Sequence, residues 1–232
     1  KTGEKPTVGV TADKSFVVRD TADNNKQHLF KPLAAEKSSL YGDPRGIREG
    51  EQAPREVAAS IAAQELGIPS AKAKLVTIDG QKGVLIEWHA KNTLEDLKVQ
   101  DRAAFDRLVN SEKFKQAMRG VDALDYLIDN LDRSHNWANY LYEFTPTGEL
   151  QITVIDNALT FTSTKGRADI VGSTRGLPES YSPDLVTKIR DLSKNRDEFV
   201  EKISPLVGNE AIPGVLYRLD MMLKDIEAKE PK

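Results

Sequence analysis

ALDYLIDNLDRSHNWANYLYEFTPTGELQITVIDNALTF, residues 123–161, changes its periodicity twice. Leu124, Leu127, Ile128 and Leu131 recur at helical spacing and make one apolar face. The helix signal then breaks into Asp132-Arg133-Ser134-His135-Asn136, too polar to bury without partners. Two strand-like runs follow, 139–144 and 151–155, on either side of the turn signal Thr145-Pro146-Thr147-Gly148.

A hairpin brings its two ends together. The midpoint between Asn139 and Asp156 falls between Thr147 and Gly148, inside the turn, so both residues return to one end. Asp132 stands on the loop entering that end. Two carboxylates and an amide oxygen converge, hard donors suited to Mg²⁺. Arg133 and His135 lie beside them, placed to steady negative charge. One such Asp or Asn alone reads as a polar loop capping a helix. The three together read as a site for magnesium-assisted phosphoryl transfer, with Asp132 at the attacking hydroxyl and Asn139 and Asp156 on metal.

DNLDRSHNWANYLY followed by VIDNALTF resembles the catalytic and metal-binding segments of the atypical kinases related to phosphatidylinositol 3- and 4-kinases. Within that group it is most similar to type II phosphatidylinositol 4-kinases, HipA-type kinases and secretory-pathway kinases. The resemblance implies a catalytic role for Asp132, and metal binding by an Asn opening the next strand and by Asp156. The family's usual Asn position falls here on Trp137, and the chain offers Asn136 and Asn139 instead. Asn139 is preferred because it opens the strand; Asn136 stays open as the ligand.

The flanking sequence extends the resemblance. Strands are expected at 7–10, 15–19 and 27–32, forming a meander. The first turn lacks a glycine-rich pattern, but type II lipid kinases use a similar serine-bearing loop, which implies a phosphate contact for Ser15. Lys31, in the apolar run LFKP, by itself reads as a snorkelling side chain; the resemblance makes it the nucleotide-binding lysine. Pro54 suits the first position of a helix that ends near Leu66-Gly67. Glu56 in its first turn either complements the helix dipole or, by the resemblance, pairs with Lys31. Residues 33–54 form a connection too long to lack a role, read as a flap or regulatory segment. A hairpin at 75–78 and 83–87 turns at Asp79-Gly80. It leads through Glu87 into Trp88-His89, where the resemblance implies a hinge reading adenine, with Trp88 packed against the base.

Downstream, helices are expected near 92–97 and 102–118, then a Gly/Ser/Thr-rich loop at 162–182 in the activation-loop position. Three tail helices are expected at 182–194, 196–203 and 213–228, with Pro205 stopping the second. The 232 residues are 39% apolar and 30% charged, long enough for one domain of two lobes. Lys+Arg 33 against Asp+Glu 36 gives −3, so nothing global points to nucleic acid or an anionic membrane. Cysteine is absent, which excludes disulfides and thiolate metal sites. No apolar run reaches membrane-spanning length and no signal peptide is visible. The chain opens on Lys1 rather than Met, as a trimmed or processed protein would.

The fold class expected is α+β and two-lobed, protein-kinase-like, with an antiparallel β N-lobe over 1–88 and a mainly helical C-lobe over 89–232. The expected cofactors are ATP and Mg²⁺, and the expected acceptor is a protein Ser/Thr hydroxyl. The rival readings are a phosphoinositide kinase, a nucleotide-binding pseudokinase scaffold and an adenylyl transferase. The expected setting is soluble, cytoplasmic or exported as an injected effector.

Overall fold

In the computed structural model, residues 15–20, 26–33, 47, 50–89, 92–130, 132–134, 136–162 and 176–230 are described. Four antiparallel strands come first: β1 (Phe16–Asp20), β2 (Lys26–Pro32), β3 (Ala73–Ile78) and β4 (Gln81–Glu87), in the spatial order β1-β2-β4-β3. The strand expected at 7–10 lies outside the described residues. Asp79 and Gly80 turn β3 into β4 with positive φ at both positions, 51° and 76°. That twist matches the strands, and Asp-Gly adopts it readily. Lys31 pairs with Val84, and the next pair is Pro32 with Gly83. A Cβ at Gly83 would sit 2.5 Å from the Lys31 carbonyl and 2.7 Å from the Phe30 ring. The bare glycine is what lets β2 approach β4 at the level of Lys31.

Between the two hairpins runs α1 (Gln52–Leu66). It starts two residues before Pro54, earlier than the sequence suggests. Proline still fits there, because N–H groups of the first turn have no helical partner. Ala53, Ala58, Ala59, Ala62 and Ala63 are all buried, as expected of a helix enclosed by neighbours on several sides. Ala53 joins the small core under the sheet with Ala71, Val84 and Ile86. The remaining alanines join the large helical core.

The rest is mainly helical: α2 (Leu94–Gln100), α3 (Arg102–Val109) and α4 (Glu112–Ile128), then α5 (Pro183–Lys194), α6 (Arg196–Val207) and α7 (Ile212–Lys229). The single helix expected at 102–118 is two. Ser111 caps α4 by accepting from Phe114 N at 3.2 Å, and its hydroxyl donates to Leu108 O at 2.6 Å, closing α3. Pro205 does not stop α6. It lies in the last turn, so that the one helical hydrogen bond it removes falls at the end of the ladder, and buried Val207 keeps the turn packed.

The hairpin at the centre forms as β5 (Tyr140–Phe144) and β6 (Leu150–Val154), with Tyr140 opposite Val154. It is tied to the first part of the chain: Ala71 N donates to Val154 O at 3.1 Å and Val154 N to Pro69 O at 3.0 Å. An antiparallel sheet followed by a mainly helical part is the α+β architecture expected.

Gly83→Ala should lower stability by about 1–3 kcal/mol through overpacking, read as a fall in melting temperature. Gly80→Ala, with open space around it, should cost only about 1 kcal/mol from its left-handed backbone. Equal losses at the two positions would mean that the close approach at Lys31 is unimportant.

Candidate functional site

The loop after α4 is shaped by its own backbone-directed side chains. Asp129 ends the helix in the left-handed region, with φ 52°. Asn130 Oδ1 then accepts from Asp132 N at 3.1 Å and Arg133 N at 3.0 Å, the local turn Asn favours. This turn directs Arg133 inward, where the residue is fully buried. Its Nε donates to both oxygens of Asp125, at 2.9 and 3.1 Å. Nη1 donates to Ile155 O at 2.8 Å and, at 3.4 Å, to Asn139 O, and Nη2 donates to Asn157 Oδ1. Tyr140 lies beside the guanidinium, 5.9 Å from ring centroid to Cζ, and its hydroxyl donates to Arg133 O at 3.0 Å.

The role of Arg133 is therefore corrected. The sequence puts it at the transferred phosphate; the structure commits its guanidinium to the base of the site, because a buried charge must be paired and hydrogen-bonded. Asp125 and Asn157, which complete this network, were not singled out in the sequence. Asp125 hides in the helical run, and the available signal for Asn157 is its place directly after Asp156.

Asp132 is left facing outward. Its Oδ2 accepts from Asn139 Nδ2 at 2.9 Å and Asn136 Nδ2 at 3.3 Å. Asn136 Oδ1 is already used, accepting from Ala138 N at 3.2 Å to start the 3₁₀ turn Trp137–Asn139. Asn139 Oδ1 accepts no hydrogen bond among the described residues. The hairpin does bring its ends together: Ile155 N donates to Asn139 O at 3.1 Å. Asp156 follows with φ 55°, a left-handed kink that Asp tolerates better than most residues. His135 lies outside the described residues.

Lys31 reaches across from β2, and its Nζ lies 2.8 Å from Asp156 Oδ1. Burial alone would favour the neutral amine. The charges of Asp156 and Glu56, the hydrogen bond to Asp156 and the charge of Asp132 outweigh it and hold the ammonium well above the usual lysine range. The Lys31 charge holds the Asp156 carboxyl below its usual range. Glu56 was expected to be the partner of Lys31, but its hydrogen bonds go elsewhere. Its Oε1 accepts from Asn157 N at 2.9 Å and Asn157 Nδ2 at 3.4 Å. The cause is local: the kink at Asp156 turns the next N–H toward α1. Glu56 is 1% exposed, and burial pushes its carboxyl up, with Asp156 adding to the shift against the Lys31 charge and the Asn157 bond. Neighbouring Arg55 donates through Nη1 to Thr160 O at 2.7 Å and to Phe161 O, and through Nη2 to Glu51 at 3.1 Å.

The remaining expected residues lie at the sheet. Ser15 is buried at the start of β1. Glu87 pairs with Lys26 at 2.5 Å and stands 3.6 Å from His89. The backbone N–H of Glu87 donates to Lys72 O at 2.8 Å, and that of Trp88 to Gln27 O at 3.2 Å. These two N–H groups are thus engaged by backbone carbonyls.

Among the described residues no group of three or more His, Cys, Asp or Glu forms a metal cage. The donor set at the hairpin base is instead two carboxylates and an amide. Asp132 Oδ1, Asp156 Oδ2 and Asn139 Oδ1 carry no hydrogen bond among the described residues. Of these hard oxygens, Asp156 Oδ2 and Asn139 Oδ1 fit Mg²⁺ that would complete its shell with phosphate and water, and none of the three fits a soft metal.

No protein-family model matches the sequence, and no curated protein does. Of two comparisons with solved structures, the first carries the likeness in fold. The Helicobacter pylori proinflammatory kinase CtkA superposes with a TM-score of 0.62 at 10% identity, over 100% of this chain and 97% of that one. HipA of the Shewanella oneidensis MR-1 toxin–antitoxin system, solved with HipB and operator DNA, superposes with a TM-score of 0.43 at 10% identity, over 98% of this chain and 66% of that one. The fold is kinase-like.

Removing one partner of the buried ion pair should be severe. Arg133→Met and Asp125→Asn should each destabilise by about 3–5 kcal/mol, the loss expected when one buried charge is stranded. Chemical denaturation measures this. A loss within experimental error of a surface ion pair would show that the network does not hold the loop.

Proposed function

We propose that this protein is an ATP- and Mg²⁺-dependent kinase that transfers the γ-phosphoryl group to a hydroxyl, with Ser or Thr of a protein as the acceptor. The observation that carries this reading is the meeting of Lys31, Asp132, Asn139 and Asp156 at one end of the hairpin, with their unbonded oxygens on one set of residues and their cation on another. A kinase-like fold supports it, since the same fold is found in a proinflammatory kinase.

In this reading Lys31 binds nucleotide phosphates, and Glu56 lies beneath it as a second negative charge. Asp156 and Asn139 would hold Mg²⁺, which when bound neutralises charge on the β- and γ-phosphates. The open Oδ1 of Asn139 and the committed Oδ1 of Asn136 favour Asn139 as the ligand. Asn136 then serves to hold Asp132. Asp132 takes the proton from the acceptor hydroxyl at Oδ1 while its Oδ2 stays fixed by two amides. The hydroxyl oxygen forms the new bond to the γ-phosphorus, the bond from that phosphorus to the bridging oxygen breaks, and ADP leaves. His135, by its place in the loop, is offered as a donor to the developing charge. Trp88 is offered as the packing surface for adenine and Ser15 as a phosphate contact.

The test is incubation with γ-phosphate-labelled ATP and Mg²⁺, offering casein, the chain itself and phosphoinositide vesicles as acceptors. Label in protein is expected; label only in lipid would move the acceptor class, and label in neither would sink the kinase reading. Adenylyl transfer would appear as label from α-phosphate-labelled ATP instead. Asp132→Asn should cut transfer about a hundredfold or more while leaving ATP affinity nearly unchanged, because the lost interaction belongs to the transition state. Asp156→Asn should lose both transfer and Mg²⁺-dependent ATP binding, measured by titration calorimetry. If both variants bind and turn over like the parent, Asp132 is not the base and Asp156 is not the metal ligand.

A further inference from the structure

Lys31 already occupies the carboxylate that the proposed function gives to the metal. Its Nζ stands 2.8 Å from Asp156 Oδ1, the distance of a charge-assisted hydrogen bond. Asp132 and Glu56 act on the same ammonium through their charges. The Arg133 charge also acts on Asp156 and Glu56, but its guanidinium is bound at 2.9 Å to Asp125 on the buried side, and Lys31 is the cation in direct contact with Asp156.

Glu56 supplies the other half of the argument. One of its oxygens is bonded to Asn157, while Oε2 is buried with no hydrogen-bond partner among the described residues. An unsatisfied buried carboxylate oxygen is costly, and here it lies within electrostatic reach of the lysine. Its charge adds to the negative field that holds the Lys31 ammonium in place.

We propose that Lys31 is the resident cation of the metal site: it neutralises Asp156 and keeps divalent ions out unless nucleotide phosphates enter with them. A divalent ion arriving alone would have to displace the ammonium and then sit beside it, with no new anion to offset the repulsion. An ion arriving with nucleotide brings phosphate oxygens that give both cations partners. Metal entry is therefore conditional on nucleotide. This inference rests on the reading of Asp156 as the metal-facing carboxylate, and it does not require that transfer occur.

The test uses Mn²⁺ without nucleotide on the full chain, with free ion read by electron paramagnetic resonance. The parent protein should bind Mn²⁺ more weakly than about 1 mM, as a bare carboxylate pair with a competing cation would. Lys31→Met should tighten binding by about tenfold or more. Lys31→Arg should stay as weak as the parent, since it keeps the charge. Adding Asp156→Asn to Lys31→Met should remove the gain. No tightening in Lys31→Met, or submillimolar binding by the parent, overturns the proposal. If circular dichroism shows Lys31→Met unfolded, acetylation of Lys31 by acetic anhydride decides, read by peptide mass spectrometry. It should rise in Asp156→Asn, where the amine has lost its partner, and unchanged labelling overturns the proposal. A parent that fails to bind Mn²⁺ with ATP, while Lys31→Met still gains Mn²⁺ alone, would sink the kinase reading and leave this inference standing.

Discussion

A guanidinium sealed from water fixes everything around the candidate site. Arg133 joins the end of α4, through Asp125, to both strands of the central hairpin, through the carbonyls of Asn139 and Ile155, and to the segment after Asp156, through Asn157. A charge buried this deeply is tolerated only with full pairing. Its hydrogen bonds therefore set where each of these elements can lie. Asp132 points outward because the adjacent Arg133 points inward, and Asn139 reaches Asp132 because its own carbonyl belongs to the hairpin base.

The same logic is repeated from α1. Its alanines lie in the helical core while Ala53 lies under the sheet, so this helix is packed into both parts of the chain. Two consecutive side chains then reach the catalytic segment. Arg55 binds the carbonyls of Thr160 and Phe161, and Glu56 binds the N–H of Asn157. The position of the strand carrying Lys31 relative to Asp156 thus depends on a helix far from either in sequence. The short backbone zipper between 69–71 and β6 adds a second tie.

Strain is stored between these ties. Asp156 and Phe161 both have left-handed φ, 55° and 56°. Asp accepts this more readily than most residues, but for Phe it is a true outlier. Phe161 is held there because its ring is fully buried, its N–H donates to Ile128 O at 2.6 Å and its carbonyl accepts from Arg55. Left-handed residues persist only where the surroundings over-determine them, and these two bracket the segment that carries Asp156 and Asn157.

Much of this was legible in the sequence for local reasons. Helical spacing located the apolar face of the second half of α4, Asp79-Gly80 and the 145–148 turn located two hairpins, and hairpin symmetry brought Asn139 and Asp156 to one end. Turn chemistry and side-chain period act over a few residues, so a sequence carries them openly. The break at Ser111 and the survival of α6 past Pro205 were missed because capping and packing outweighed the periodicity and the proline signal. The partners in the site were not legible. Arg133 reads as a loop cation near phosphate until Asp125, Asn139, Ile155 and Asn157 surround it. Lys31 and Glu56 read as a pair until the kink at Asp156 turns the Asn157 N–H to one carboxylate and its own oxygen to the lysine. Sequence determined which charged groups meet at the hairpin base; the three-dimensional packing of α1 against it decided which charge each of them answers, because that choice is made by burial and distance between segments far apart in the chain.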